Sequence, residues 1–153
     1  MNRDSSARRR RTPAAPDAAF VRRFRMPSRR EAVAPSVDRI LETILPAGLS
    51  DDQRDDLAVA LSEALSNAAV HGNRLRSDAV VRVVIQVEPG HCAVIEIADE
   101  GPGFDVAHVH DPTDPDRLLA TGGRGVFMMK RLVDRLEYNP SGNKVRLTIE
   151  RRV

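Results

Sequence analysis

Glu63, Asn67 and His71 follow one another at intervals of four. On a helix of about 3.6 residues per turn, that spacing stacks a carboxylate, a carboxamide and an imidazole in one slowly drifting stripe. Solubility does not ask for such a trio at the edge of a core; Lys, Glu and Arg on the far face would serve. The trio is placed to face a ligand. Two glycine-rich turns carry further candidates: Asp99 with Gly101 and Gly103, and Gly123-Arg124-Gly125 at the start of a helix. Glycines let a backbone approach a ligand closely, and free N–H groups at a helix start hold phosphate. An Asn amide oxygen is a hard ligand, suited to a magnesium ion that bridges phosphates. A buried Asp carboxylate only accepts hydrogen bonds. It would accept from the exocyclic amine of adenine and repel the carbonyl that guanine presents at the same place. Together these parts describe a site for Mg-ATP.

The elements that must position them can be read from the periodicity. Asp56 to Asn73 reads as one amphipathic helix, with Leu57, Leu61, Ala64, Leu65 and Ala68 on a single apolar face and the polar stripe along its border. Ser50 and Gln53 fit a capping box, Asp51 and Asp52 suit the positive end of the helix dipole, and Gly72 sits where a C-terminal glycine is expected. Before it, Phe20–Met26 reads as an edge strand ended by Pro27. A helix starting near Pro35 follows, with the stripe Val37, Ile40, Leu41, Ile44 and Leu45, stopped by Pro46 and Gly48. After it, Ala79–Val87, the turn Pro89-Gly90 and His91–Ala98 form a hairpin, with Cys92 expected to be buried. Asp105–Thr121 is long and aperiodic, holds His108 and His110, and reads as a lid. The helix opened by Thr121–Gly125 carries the stripe Val126, Met129, Val133 and Leu136. Tyr138–Asn143 reads as a turn. Lys144–Arg151 alternates as a half-buried strand, with Val145, Leu147 and Ile149 inward and Arg146, Thr148 and Glu150 outward. The order predicts an α+β two-layer sandwich: a mostly antiparallel sheet with helices on one face.

Composition narrows the function. The 153 residues are 41% hydrophobic but only 3% aromatic, so the core must be built from Ala, Val, Leu and Ile. The single cysteine excludes an internal disulfide and fits a reducing cytoplasm. No apolar run is long enough to span a bilayer, and the charged N-terminus lacks the apolar stretch of a secretory signal. Residues 1–30 carry ten Arg against Asp4 and Asp17, a net +8, while residues 31–153 carry 14 basic and 20 acidic residues, a net −6. The basic character therefore belongs to the N-terminal part. Residues 1–18 read as a disordered Arg-rich tail and 19–153 as the folded domain. An acidic body argues against nucleic-acid binding by the fold itself.

The run Glu63-x-x-x-Asn67-Ala68-x-x-His71-Gly72 resembles the N-box of the GHKL ATPase superfamily; Asp99-x-Gly101-x-Gly103-Phe104 and Gly123-x-Gly125 resemble its two glycine boxes. The likeness covers roughly residues 20–151. Its compactness is most similar to the anti-sigma factor and serine-protein kinase group. The resemblance implies the Bergerat-type ATP-binding fold, with Asn67 on magnesium, Glu63 as the general base for an attacking serine hydroxyl, and Asp99 reading adenine. It implies a pocket shaped by Gly101, Gly103, Gly123 and Gly125 with Val126 behind them, His71 capping the helix or lining the pocket, and Arg124 within reach of a phosphate. It implies as partners a sigma factor and a STAS-type antagonist that receives the phosphate, and a cytoplasmic homodimer. Residues 118–122, Leu-Leu-Ala-Thr-Gly, lack the lid arginine often found in this group. Three expectations therefore stand: a serine-protein kinase, a module that binds ATP and sequesters a partner without phosphoryl transfer, or a nucleic-acid binder driven by the Arg-rich tail.

Overall fold

The computed structural model describes residues 17–106 and 123–153. Strand β1 (Phe20–Pro27) leads through a 3-10 turn (Arg30–Ala32) into helix α1 (Val33–Thr43), and a second 3-10 turn (Leu45–Ala47) leads to helix α2 (Asp51–Ser66). The chain then continues without a break as a π-helical segment, Asn67–Gly72. Strands β2 (Val80–Glu88) and β3 (Cys92–Ala98), helix α3 (Gly123–Leu132) and strands β4 (Arg135–Tyr138) and β5 (Lys144–Glu150) complete the described part. The five strands form one sheet in the order β1-β2-β3-β5-β4, every neighbouring pair antiparallel. The expected two-layer α+β sandwich is the fold observed.

The core lies between the sheet and the helices. Alternation along the strands turns Val81, Val83, Ile85 and Val87 of β2, Ala93, Ile95 and Ile97 of β3, and Val145, Leu147 and Ile149 of β5 to one face, all buried. Against them lie Val37 and Ile40 of α1, Leu57, Leu61, Ala64 and Leu65 of α2, and Val126 and Met129 of α3. Helix α2 is the middle helix, in contact with both α1 and α3. Its start is fixed as the residue types require. The Gln53 N–H donates to Ser50 Oγ (3.2 Å) and the Ser50 N–H donates to Gln53 Oε1 (3.3 Å). The buried Gln53 amide also donates to the Glu150 carbonyl (2.6 Å), so the cap pins α2 to the end of β5.

Four local readings are corrected. Leu136 is not the last residue of a helical stripe: α3 stops at Leu132, and Arg135–Tyr138 is the edge strand β4, with Leu136 paired to Leu147. Four residues are too few for a period of two to stand out from the helical pattern before them. Leu45 falls in a 3-10 turn, which rotates it off the α1 stripe, and it is 55% exposed. Thr148 is buried although it points away from the core, because β5 is an inner strand and Val94 and Arg135 flank it. Cys92 is only half-buried at the open face of the sheet.

Candidate functional site

Asp99 leaves the end of β3 with its backbone tied down. Its N–H donates to the Asn143 carbonyl (2.9 Å), and its carboxylate Oδ1 accepts from the Gly101 N–H two residues on (2.8 Å). Burial pushes the Asp99 carboxyl above its ordinary pKa, and the Gly101 N–H offsets part of that rise. A half-buried carboxylate whose pKa burial has raised is a candidate for a ligand contact.

The glycines explain how the backbone closes around it. A side chain at Gly72 would land on the Asp99 carboxyl, and one at Gly101 would land on the Gly72 carbonyl oxygen. The last turn of the N-box helix and the Asp99 turn therefore touch through two glycines. Gly72 is not the left-handed C-cap expected of it. Positive φ comes later, at Arg74 (52°) and Leu75 (57°), and Gly72 is required by the approach to Asp99. On the other flank, a side chain at Gly125 would strike Glu63 Oε1, so the first turn of α3 is packed on the Glu63 carboxylate. Gly103 (φ 76°) lies against the Ser141 carbonyl in the β4–β5 turn.

The predicted stripe is only partly realised. Glu63 and Asn67 are half-buried at the border of the apolar face, as expected. At Asn67 the helix widens to π geometry, in which each N–H reaches back five residues, as from Asn73 to the Ala68 carbonyl (2.8 Å). The wider turn breaks the four-residue stacking, buries Ala68 and Ala69, and leaves His71 exposed. Of the remaining candidates, Val126 is buried in the core and Arg124 is exposed on the first turn of α3, which Gly123 begins. The lid expected over Asp105–Thr121 and the tail expected over 1–18 lie almost wholly outside the described residues.

Sequence reasoning missed three residues at this site. Tyr138, on β4, has its hydroxyl pushed up to about pKa 12, first by burial and then by the carboxylates of Glu63 and Asp99. It thus lies within electrostatic reach of both, and its ring meets Phe104 edge-on (centroids 4.9 Å apart). Asn143 and Asn73 hold the Asp99 turn by side-chain and backbone hydrogen bonds. A lone Tyr in a supposed turn gives no signal in the sequence. Asn73, next to the N-box, could have been questioned as a polar residue ending a buried helix.

The donor set suits a nucleotide with its magnesium: one acceptor carboxylate, a hard amide oxygen on the adjacent helix turn, and glycine backbone on both sides where a Cβ would intrude. A family model described as a histidine kinase-like ATPase domain matches residues 26–149. The serine-protein kinase RsbW of Oceanobacillus iheyensis is 30% identical over 98 residues, 60% of this chain and 61% of its own length. The anti-sigma F factor of Clostridium beijerinckii is 30% identical over 126 residues, 80% of this chain and 82% of its own. The serine-protein kinase RsbW of Bacillus subtilis is 32% identical over 108 residues, 66% and 67% of the two chains. The chain therefore belongs to the histidine kinase-like ATPase domain family, and its relatives place it in the serine-protein kinase and anti-sigma factor group of that family. An ATPase domain uses ATP. Among the described residues no helix is long and apolar enough to cross a membrane.

Proposed function

We propose that this protein is an ATP-dependent protein serine kinase that also acts as an anti-sigma factor. Asp99 accepts from the adenine amine. Asn67 would supply an oxygen to a magnesium ion, which when bound would offer positive charge to the phosphates. Glu63 is the general base that takes the proton of the attacking serine hydroxyl. Gly101, Gly103, Gly123, Arg124 and Gly125 border the phosphates, and His71 lies at the rim. The serine belongs to a STAS-type antagonist, and the sigma factor is the partner held in its absence. The protein works as a cytoplasmic homodimer. The observation that carries the reading is the convergence on one end of α2. Gly125 is pressed on Glu63 and Gly72 on Asp99, so a base and an adenine acceptor flank the turn that bears Asn67.

The test is incubation of the full chain with labelled ATP and a STAS-domain protein that carries an acceptor serine. Wild type is expected to transfer label. Glu63→Ala is expected to bind ATP normally while transfer falls by about a hundredfold or more, the usual worth of a general base. Undiminished transfer by Glu63→Ala would remove Glu63 from its role. The Leu-Leu-Ala-Thr-Gly run at 118–122 favours the second reading, a non-catalytic ATP-binding module. That reading gains the ground if wild type binds ATP and the sigma factor but never labels the antagonist.

A further inference from the structure

We propose that Asn73 is a positioning residue for nucleotide selection: it holds the Asp99 turn in register with the end of α2, and so fixes the adenine acceptor relative to Asn67. The inference rests on the ATP site proposed above.

Asn73 follows the π-helical segment directly, and its residue is 1% exposed. Its side chain is engaged in both directions. The Glu100 N–H donates to Asn73 Oδ1 (2.7 Å), and Asn73 Nδ2 donates to Ser28 Oγ (2.9 Å). The buried Ser28 hydroxyl in turn donates to the Ala79 carbonyl (2.7 Å). One carboxamide thus joins four pieces of chain: the end of α2, the residue after β1, the entry to β2 and the turn after β3. Glu100 is held again through its own carboxylate, which accepts from the Val80 N–H (2.7 Å) and lies 3.7 Å from Arg82. Across the turn, Asn143 takes the Asp99 N–H on its carbonyl, and its amide donates to the Gly101 carbonyl (3.3 Å). Asp99 is therefore gripped between two asparagines. Asn143 belongs to the β4–β5 turn; Asn73 caps the segment that carries Asn67.

This arrangement bears on selectivity as well as on folding. The Gly101 N–H occupies Asp99 Oδ1, which leaves Oδ2 as the oxygen to accept from a base. Oδ2 discriminates adenine from guanine only if the peptide after Asp99 keeps its orientation, and the Glu100 N–H on Asn73 is the bond that fixes that peptide. Hydrogen-bond selection is steep in distance and angle, so a turn released by even an ångström or so loses it.

The experiment titrates the full chain with ATP and with GTP, alongside melting temperature and the exchange rate of the Glu100 amide. Asn73→Asp keeps an oxygen for the Glu100 N–H and loses the donor to Ser28; Asn73→Leu has similar volume and loses both. Both variants should melt lower, since each leaves buried polar groups unpaired. Asn73→Leu is expected to lose about tenfold in its preference for ATP over GTP, the worth of one buried hydrogen bond, with faster Glu100 exchange. Asn73→Asp, which keeps the Glu100 bond and loses only the link to Ser28, is expected to lose no more than about two- to threefold despite its lower melting temperature. Ser28→Ala is the milder companion, with a loss of preference of about two- to threefold expected. An unchanged preference in Asn73→Leu, or in Ser28→Ala should the former not fold, overturns the inference. So does an equal loss in the Asp and Leu variants that merely follows stability. Wild type that binds ATP while the variants match it sinks this inference alone; wild type that binds neither nucleotide sinks the ATP site with it.

Discussion

Helix α2 and the π-helical segment that prolongs it are one continuous stretch of chain with opposite physical characters. The body, Asp51–Ser66, is a capped helix whose Leu57, Leu61 and Leu65 are fully buried. The end, Asn67–Gly72, abandons α geometry, leaves His71 in solvent, and brings Gly72 against a carboxyl that burial has already made costly to ionise. One residue further on come two left-handed residues that are not glycine, Arg74 and Leu75. Each such residue costs on the order of 1 kcal/mol. The body contributes stability; the end uses stability to hold groups where an unconstrained chain would not put them. Widened helical turns recur at functional sites for this reason.

The difference can be broken from either side. Leu61→Ala in the body should produce the largest loss of stability, about 2–5 kcal/mol, because a wholly buried side chain is replaced by a cavity. Urea unfolding reads that loss. ATP affinity at low urea, per folded molecule, should not change; a parallel loss of affinity would mean the two regions are not separable. Gly72→Ala at the end should reverse the pattern. The new methyl falls on the Asp99 carboxyl, and overpacking of this kind costs about 1–3 kcal/mol. On the proposed reading that strain sits in the nucleotide contact, so ATP affinity should fall roughly 10- to 100-fold by calorimetric titration. An affinity within twofold of wild type would show that the Gly72–Asp99 contact lies outside the ligand's footprint.

The same division governs what could be read from the sequence. The body of α2 was legible because capping and a 3.6-residue apolar period are local rules, written in Ser50, Gln53, Leu57, Leu61 and Leu65 themselves. Strands β2, β3 and β5 were legible because alternation over seven to nine residues is unambiguous. The end of α2 was not, since nothing in Asn67–Gly72 announces that each turn takes one residue more; the stripe was extrapolated through His71 on α geometry. Gly72 was given a local role, a C-cap, when its reason is a non-local neighbour 27 positions on, at Asp99. Tyr138 was lost with strand β4, which exists because β5 offers it an edge and not because Arg135–Tyr138 has a pattern of its own. Glu63, Asn67, Asp99 and Gly125 stand out as candidates through residue chemistry. The contacts of Glu63 with Gly125 and of Asp99 with Gly72 belong to the tertiary fold and could only be seen there.

The smallest expected stability effect gives the finest test of the contrast. Folding raises the Asp99 carboxyl above its unfolded value, burial outweighing the bond from Gly101. A carboxyl raised on folding contributes most below its unfolded pKa, and that contribution disappears as pH rises through the folded value. Ionised Asp99 is therefore a cost to the fold at neutral pH. Asp99→Asn should raise the melting temperature slightly at pH 7, and the gain should shrink towards acid, where the wild-type carboxyl is also neutral. Its effect on the ligand should be the reverse. The Gly101 N–H requires an acceptor at Oδ1, so the new amide must present its NH2 group where Oδ2 had been. A donor there opposes the amine of adenine and matches the carbonyl of guanine, so ATP binding should weaken while relative affinity for GTP rises. A variant that is no more stable than wild type at pH 7 would mean Asp99 is not held at the expense of the fold. One that is more stable yet binds ATP as before would place the adenine contact elsewhere than Asp99.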